Sequence, residues 1–387
     1  MDFRLTKEEE VFQQEVDEFM KKELTQDVVE ESNQGLGPAA KTWEFLGKLG
    51  AKGWLVPMLP KEYGGLGGTW MQKYIIDDAL DYHFFPEPFA FIGGYIVAPM
   101  LMMIGNEEQK KEYVPKIASG EMEFALGYSE PEAGSDTANI DIRVVEDGDY
   151  YVMNGQKIFN TSCHYAHYHW LCARTEVTTP KHRGLSLFIV PMDTPGISLS
   201  PLWAISGERT NAVYYDNVRV PKSSLVGEKN RGFYHMMAAL NLERLFPTGH
   251  IRRGLSELIK YIQTTTRNGK PLAEDPLVKQ RVAELTIRVE AAESLGYRVT
   301  WMLQNGKVPD YESSVNKVFI TETEQEIAYT GLKIMGLYGQ LKGGPHAPVN
   351  GELAHFFLAV ARRTVTGGTN EIQRNIIAYR GFNLPRA

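Results

Sequence analysis

Cysteine is scarce in this chain: 387 residues carry two, Cys163 and Cys172. That excludes a disulfide framework and a zinc cage built on cysteines, and it suits a reducing compartment. There is no run of 18 apolar residues, so no segment reads as a membrane-spanning helix. Long basic stretches are also missing, and the formal charge is −7. Nucleic acid and anionic membrane surfaces are therefore excluded as the main partners. The N-terminus, MDFRLTKEEE, has neither the apolar core of a signal peptide nor the Arg/Ser-rich look of a transit peptide, and the chain is expected to be cytoplasmic.

What is present is an ordinary globular mixture, 43% apolar and 23% charged, in a chain long enough for two or three domains. Its texture changes twice. Residues 1–120 read as helices, opening with a Thr6/Glu9 capping box and apolar Phe12, Val16, Phe19 and Leu24 at helical spacing. From 121 to 228 the period shortens to strands. Asp147-Gly148 and Asn154-Gly155 are read as turns on either side of a short strand, and HYHWLCAR, LSLFIVP and NAVYYDNVRVP as further strands. From 229 to 387 long helical segments return, at about 232–266, 274–306, 312–338, 351–363 and 370–381. Segregated strands argue against a βαβ sheet. The expected class is α+β: an N-terminal helical domain, a middle β-barrel and a C-terminal four-helix bundle.

Three segments concentrate polar chemistry. The string YSEPEAGSDTANI (128–140) reads either as a capped surface turn or as a loop offering hydroxyls and N–H groups to an anionic or heteroaromatic ligand. In NGQKIFNTS (154–162), strand parity puts Phe159 and Thr161 on one side. They serve either as core and neighbour or as a ring platform with a hydroxyl beside it. In TVTGGTNEIQR (364–374), Thr369 caps a helix after Gly367-Gly368, a turn that also lets a ligand approach backbone N–H groups. HYAHYH (164–169) is not read as a metal site, because strand geometry splits its histidines and no other ligands join them.

SEPEAGSD, NGQKIFNTS and GGTNEIQR, in this order and with PKEYGGLGG and GEKNRGF in register, resemble the acyl-CoA dehydrogenase flavoproteins over essentially the whole chain. The resemblance implies FAD, a CoA thioester substrate and α,β-dehydrogenation. It also implies electron transfer to an electron-transfer flavoprotein and a homotetramer, a dimer of dimers, with a heterotetramer as the variant. Carried over by position, Leu126 and Ser129 meet the flavin edge, Ser135 lies near the CoA and FAD phosphates, and Phe159 and Thr161 pack on and hydrogen-bond the flavin. Thr369 and Glu371 lie on the diphosphate and ribose side. Arg267 and the stretch Lys333 to Gly339, with Gly336, hold the FAD of a neighbouring subunit. The string TTRNGKPL departs from the family pattern in lacking its Phe.

The reaction needs a carboxylate near the substrate α-carbon. Many members place it directly before the Gly-Thr of the C-terminal motif, where this chain has Gly367. A second subset, with the base position of isovaleryl-CoA dehydrogenase, carries it on the helix opening the bundle, before an Arg. ALNLERLFPTG matches, so Glu243 is the expected base and Arg244 a CoA-positioning residue. The Gly367 N–H remains as a donor to the thioester oxygen. The emptied position, together with FIGGYIVAPMLMMIG (91–105) and its Gly93-Gly94 pair, points to a branched, long or cyclic acyl group. An acyl-CoA oxidase using O2 and a cofactor-binding partner subunit of a heteromeric dehydrogenase are the alternatives.

Overall fold

The computed structural model describes residues 4–33, 36–86, 91–242 and 245–385. Six helices come first: α1 (Lys7–Glu23), α2 (Gln26–Asn33), α3 (Ala40–Ala51), α4 (Trp70–His83), α5 (Ala98–Ile104) and α6 (Glu107–Ala118). Eight strands follow: β1 (Phe124–Gly127), β2 (Arg143–Asp147), β3 (Tyr150–Lys157), β4 (Tyr168–Arg174), β5 (Leu185–Pro191), β6 (Ile197–Trp203), β7 (Arg209–Pro221) and β8 (Leu225–Val226). Six more helices close the chain: α7 (Gly232–Leu242), α8 (Gly249–Thr264), α9 (Pro276–Gln304), α10 (Glu312–Met335), α11 (Glu352–Ala359) and α12 (Asn370–Ile376). Between α8 and α9 lies a small hairpin, β9 (Thr266–Arg267) and β10 (Lys270–Pro271). The expected order of helices, strands and helices is observed.

The chain packs as two units. One takes the residues up to 29, 69–86 and those from 245 onward; the other takes 30–68 and 91–242. In the first unit the helices start where the sequence predicts. Thr6 accepts from the Glu9 N–H while the Glu9 carboxylate takes the Thr6 N–H, and Thr69 and Gln72 repeat the arrangement at α4. The apolar stripe of α1 buries Val16 and Met20, and α1 packs on α4. Leu258, Leu285, Val289, Ile320, Ile327 and Phe356 fill the core of the bundle. The expected single helix 232–266 is two helices, and residues 245–248, with Pro247, are non-helical; the ring blocks a helical hydrogen bond there.

In the second unit the strands form one sheet in the order β6-β7-β3-β2-β4-β5-β8, with β1 pairing β4 in parallel. Strand β4 and its neighbour β5 are buried along nearly their whole length, and their mostly apolar sequences carry His169, Arg174 and Ser186 into the interior with them. Asp147-Gly148 makes the β2–β3 turn. Asn154-Gly155 does not make a turn. It lies inside β3, where the register against β7 shifts and Gly155 adopts φ 145°. An added Cβ at Gly155 would meet the Ile142 side chain at 2.9 Å, so the glycine serves a bulge and a close approach. Gly93-Gly94 likewise does not widen a pocket. A Cβ on Gly94 would meet the Leu55 carbonyl at 2.3 Å and the Phe91 ring at 2.8 Å, so the pair permits tight packing in a π-helical turn, Gly93–Val97. Among the described residues, no helix is long and apolar enough to cross a membrane.

Candidate functional site

The β unit joins two of the sequence motifs. Lys157 is fully buried and its Nζ donates to the Glu130 carboxylate at 2.9 Å and to the Tyr128 carbonyl at 3.0 Å. Glu130 also accepts from the N–H groups of Asp141 (2.7 Å) and Ile142 (3.0 Å). Burial pulls the Lys157 ammonium below its ordinary pKa, and the Glu130 carboxylate opposes that pull. One residue on, the Ile158 N–H donates to the Ser129 carbonyl at 3.0 Å, and Asn160 Nδ2 donates to the Leu126 carbonyl at 2.8 Å. Asn211 in turn donates to the Asn160 carbonyl at 2.9 Å. Leu126, Ser129, Phe159 and Thr161 are thereby gathered into one place.

Phe159 is the outlier of this cluster. Its backbone is left-handed, φ 58°, and its ring is 66% exposed. A bulky residue in that region is strained, and the strain holds only where the surroundings enforce it, here the Lys157 anchor before it and the Asn160 bonds after it. Strand parity is not what aligns Phe159 with Thr161, because β3 ends at Lys157. A turn does it: both side chains are exposed, and the Thr161 hydroxyl lies 3.4 Å from that of Thr210. An exposed ring flanked by hydroxyls fits a flat heteroaromatic group such as a flavin. Ser135 is exposed on the turn after Glu130. His164, expected on a strand, also lies in a turn, and donor and acceptor partners occupy its ring: the Leu36 carbonyl at 2.8 Å and the Asn211 amide at 3.1 Å. Among the described residues no group of His, Cys, Asp or Glu could hold a metal ion.

The helical unit carries the other motif. Gly367 and Gly368 both take positive φ, 64° and 82°, and Thr369 caps α12 by accepting the Ile372 N–H at 3.2 Å. A Cβ at Gly367 would meet nothing within 4 Å. Glu371 is exposed, and its own N–H and the Thr369 hydroxyl hold its carboxyl below the usual range. The segment is tied to one face of α10. Lys317 Nζ donates to Asn370 Oδ1 at 2.8 Å, Thr321 bonds Asn370, and Glu324 receives Arg363 at 3.2 Å. Lys317, Thr321 and Glu324 recur one turn apart, so a single buried polar ridge anchors both ends of the Gly-Gly turn.

Glu324 belongs to a larger chain of charges. His250 bridges Asp81 on α4 and Glu324 through its two ring nitrogens. All three are nearly inaccessible. Burial disfavours the imidazolium, but the two carboxylates outweigh it and raise His250 to about 9. Burial would raise Glu324 too, yet Arg363 and His250 hold it down at about 2. None of these long-range pairs was visible in the sequence, where Lys317, Thr321 and Glu324 are three polar residues among many on α10.

Arg267 and the stretch Lys333 to Gly339 are brought together. Arg267 sits on the β9–β10 hairpin, whose Asn268-Gly269 turn has positive φ at both residues, and its guanidinium donates to the Ile334 carbonyl. Gly336 ends α10 at φ 67°, Gly339 is buried, and Lys333 lies 4.3 Å over the Tyr329 ring. Glu243 and Arg244 lie outside the described residues.

Comparison with known proteins agrees with this organisation. The family models described as acyl-CoA dehydrogenase N-terminal, middle and C-terminal domain match residues 6–121, 125–218 and 230–382. The chain is 36% identical to acyl-CoA dehydrogenase FadE26 of Mycobacterium tuberculosis, over 89% of this chain and 88% of that protein. It is 34% identical to FadE29 of the same organism, over 99% and 98%. The solved Tcur3481-Tcur3483 steroid ACAD superposes with a TM-score of 0.93 at 34% identity, and the ChsE4-ChsE5 complex of M. tuberculosis with 0.92 at 34%, each covering 100% of both chains. The chain belongs to the acyl-CoA dehydrogenase family and is an FAD-dependent oxidoreductase.

Proposed function

We propose that this enzyme dehydrogenates the α,β-bond of an acyl-CoA whose acyl group is bulky, whether branched, long or cyclic, and passes the electrons to an electron-transfer flavoprotein. The carrying observation is the open space at Gly367, where the missing side chain leaves room beside the turn. The name of the Tcur3481-Tcur3483 relative, a steroid ACAD, supports the same reading.

In this reading Phe159 and Thr161 receive the flavin, with Leu126 and Ser129 at its edge; Ser135, Thr369 and Glu371 take the phosphate and ribose side. Bound FAD supplies the two-electron acceptor for the β-hydrogen. Glu243 takes the α-proton, and Arg244 positions CoA. The Gly367 N–H donates to the thioester oxygen and so acidifies the α-carbon, since negative charge builds on that oxygen as the proton leaves. Arg267, Lys333, Gly336 and Gly339 reach the cofactor of a neighbouring subunit in a tetramer. The enzyme works in the cytoplasm.

A panel of acyl-CoAs mixed anaerobically with the purified yellow protein tests the proposal. A branched or cyclic acyl-CoA should bleach the flavin absorbance fastest; fastest bleaching by butyryl-CoA overturns the bulky-substrate reading. A second reading is favoured by the ChsE4-ChsE5 complex, in which two different chains assemble. If the chain purified alone holds no flavin and gains it only with a second chain, the enzyme is one half of a heteromer.

A further inference from the structure

Gln373, on the second turn of α12, reaches back over the Gly-Gly turn. Its Nε2 lies 3.1 Å from the Gly367 carbonyl and 3.5 Å from that of Gly368. The side chain is 5% exposed, and its Oε1 is sealed from solvent with no partner among the described residues. The orientation of the amide follows from chemistry: two carbonyls can only accept, so the NH2 must face them. A glutamine kept solely to fill this space would carry a buried orphan acceptor for no gain, whereas methionine would pack there without one. What Gln373 contributes is therefore the grip of its NH2 on the two carbonyls.

In a trans peptide the C=O and the following N–H point in opposite directions. Drawing the carbonyls of Gly367 and Gly368 inward to Gln373 therefore turns the N–H groups of Gly368 and Thr369 to the exposed side of the turn. Among the described residues, the N–H groups of Gly367, Gly368 and Thr369 have no backbone acceptor. The approach is tight: a Cβ on Gly368 would lie 2.7 Å from Gln373 Nε2, while one on Gly367 would touch nothing. Asn370, held by Lys317 and Thr321, donates its own N–H to the Thr364 carbonyl at 2.8 Å and closes the loop from the other side.

We infer that Gln373 is a positioning residue for dehydrogenation: by holding the carbonyls of Gly367 and Gly368 it fixes the backbone of Gly367, and with it the N–H proposed to donate to the thioester oxygen. The inference rests on the proposed acyl-CoA chemistry. No group is transferred by Gln373 itself; it acts only through the turn.

The test uses the FAD-loaded holoenzyme and a 3-thia-acyl-CoA, which can lose its α-proton but resists oxidation. Exchange of that α-hydrogen in D2O reads acidification of the carbon without turnover. Gln373→Met keeps the length and removes the donor; Gln373→Glu keeps the shape and sets oxygens against oxygens. Both should lower the exchange rate and kcat by about 10- to 100-fold with KM nearly unchanged and flavin content as in the parent; the thermal midpoint should stay near the parent's in Gln373→Met and fall in Gln373→Glu, whose carboxyl is buried against two carbonyls. Gly368→Ala, which drives the amide off its carbonyls, should reproduce the loss if the Gln373 variants fold poorly. Exchange within twofold of the parent in Gln373→Met, or in Gly368→Ala when that is the variant that folds, overturns the positioning role. Absence of exchange in the parent enzyme with every acyl-CoA analogue overturns the proposed chemistry instead, so the two failures are distinguishable.

Discussion

His250→Gln is the perturbation whose size the structure best defines. His250 bridges two inaccessible carboxylates, Asp81 and Glu324. Removing the cation leaves Glu324 its Arg363 partner but leaves Asp81, among the described residues, with only the backbone N–H of residue 250 at 3.0 Å. Breaking a buried ion pair from one side costs about 3–5 kcal/mol. The helical unit holds roughly 190 residues, so an unfolding entropy of about 2.1 cal/mol/K per residue turns about 4 kcal/mol into a drop of about 10 °C in Tm. Urea unfolding and a thermal scan of the holoprotein, both followed by far-UV circular dichroism, measure it. The effect should depend on pH. His250 is raised above its unfolded value to about 9, so its stabilisation is complete below about pH 6.5 and is lost as pH climbs through 9. The gap between parent and variant therefore narrows on the alkaline side. Asp81→Asn added to His250→Gln should restore part of the loss, because it removes the stranded carboxyl. A loss under about 1 kcal/mol, or strict additivity of the two substitutions, refutes the reasoning.

Four other outcomes are expected. Glu243→Gln should abolish turnover while FAD content stays normal; turnover near the parent's rate removes Glu243 as the base. Phe159→Gly should relieve a left-handed backbone worth about 1 kcal/mol and leave Tm level or higher, yet weaken FAD retention on gel filtration, since the exposed ring is spent on the ligand and not on the core. Lys157→Met should cost about 2–4 kcal/mol by urea titration, because it strands the Glu130 carboxyl beneath two motifs at once. As pH falls from 4.5 towards 2, stability should drop as Glu324, depressed in the folded chain, takes up its proton; Glu324→Gln should flatten that limb of the curve.

Local signals were legible in the sequence. The Thr6/Glu9 box, the Asp147-Gly148 turn and the Thr369 cap each involve residues within three or four positions, and short-range hydrogen bonds decide them. Asn154-Gly155 shows the limit of the same reasoning: the dipeptide suits a turn and a bulge equally, and only the pairing of β3 with β7 selects the bulge. Gly93-Gly94 was legible as two missing side chains but not as a seat for the Leu55 carbonyl, which approaches from far along the chain. The site residues Leu126, Ser129, Phe159 and Thr161 could be named from their motifs. What holds them, the Glu130–Lys157 pair and the Asn160 and Asn211 amides, is set by contacts spanning 27 to 51 positions, which no local pattern encodes. The same holds for Gln373, whose amide reaches two carbonyls five and six positions back, outside any capping rule.

The helical unit is assembled from pieces that leave the ribosome at very different times. Helix α4 carries Asp77, Asp78 and Asp81 into a buried face, and the cations that meet the last two, Arg252 and His250, arrive about 170 positions later. While the nascent chain is short, Asp77 has its cation, Lys73 one turn earlier on the same helix, but Asp78 and Asp81 lack theirs, and that face cannot dry out. Helices α1 and α4 must therefore wait, hydrated and undocked, until α8 is made. Fragments ending before α8 lack both cations and should be retained by chaperones or degraded, α1 and α4 with them.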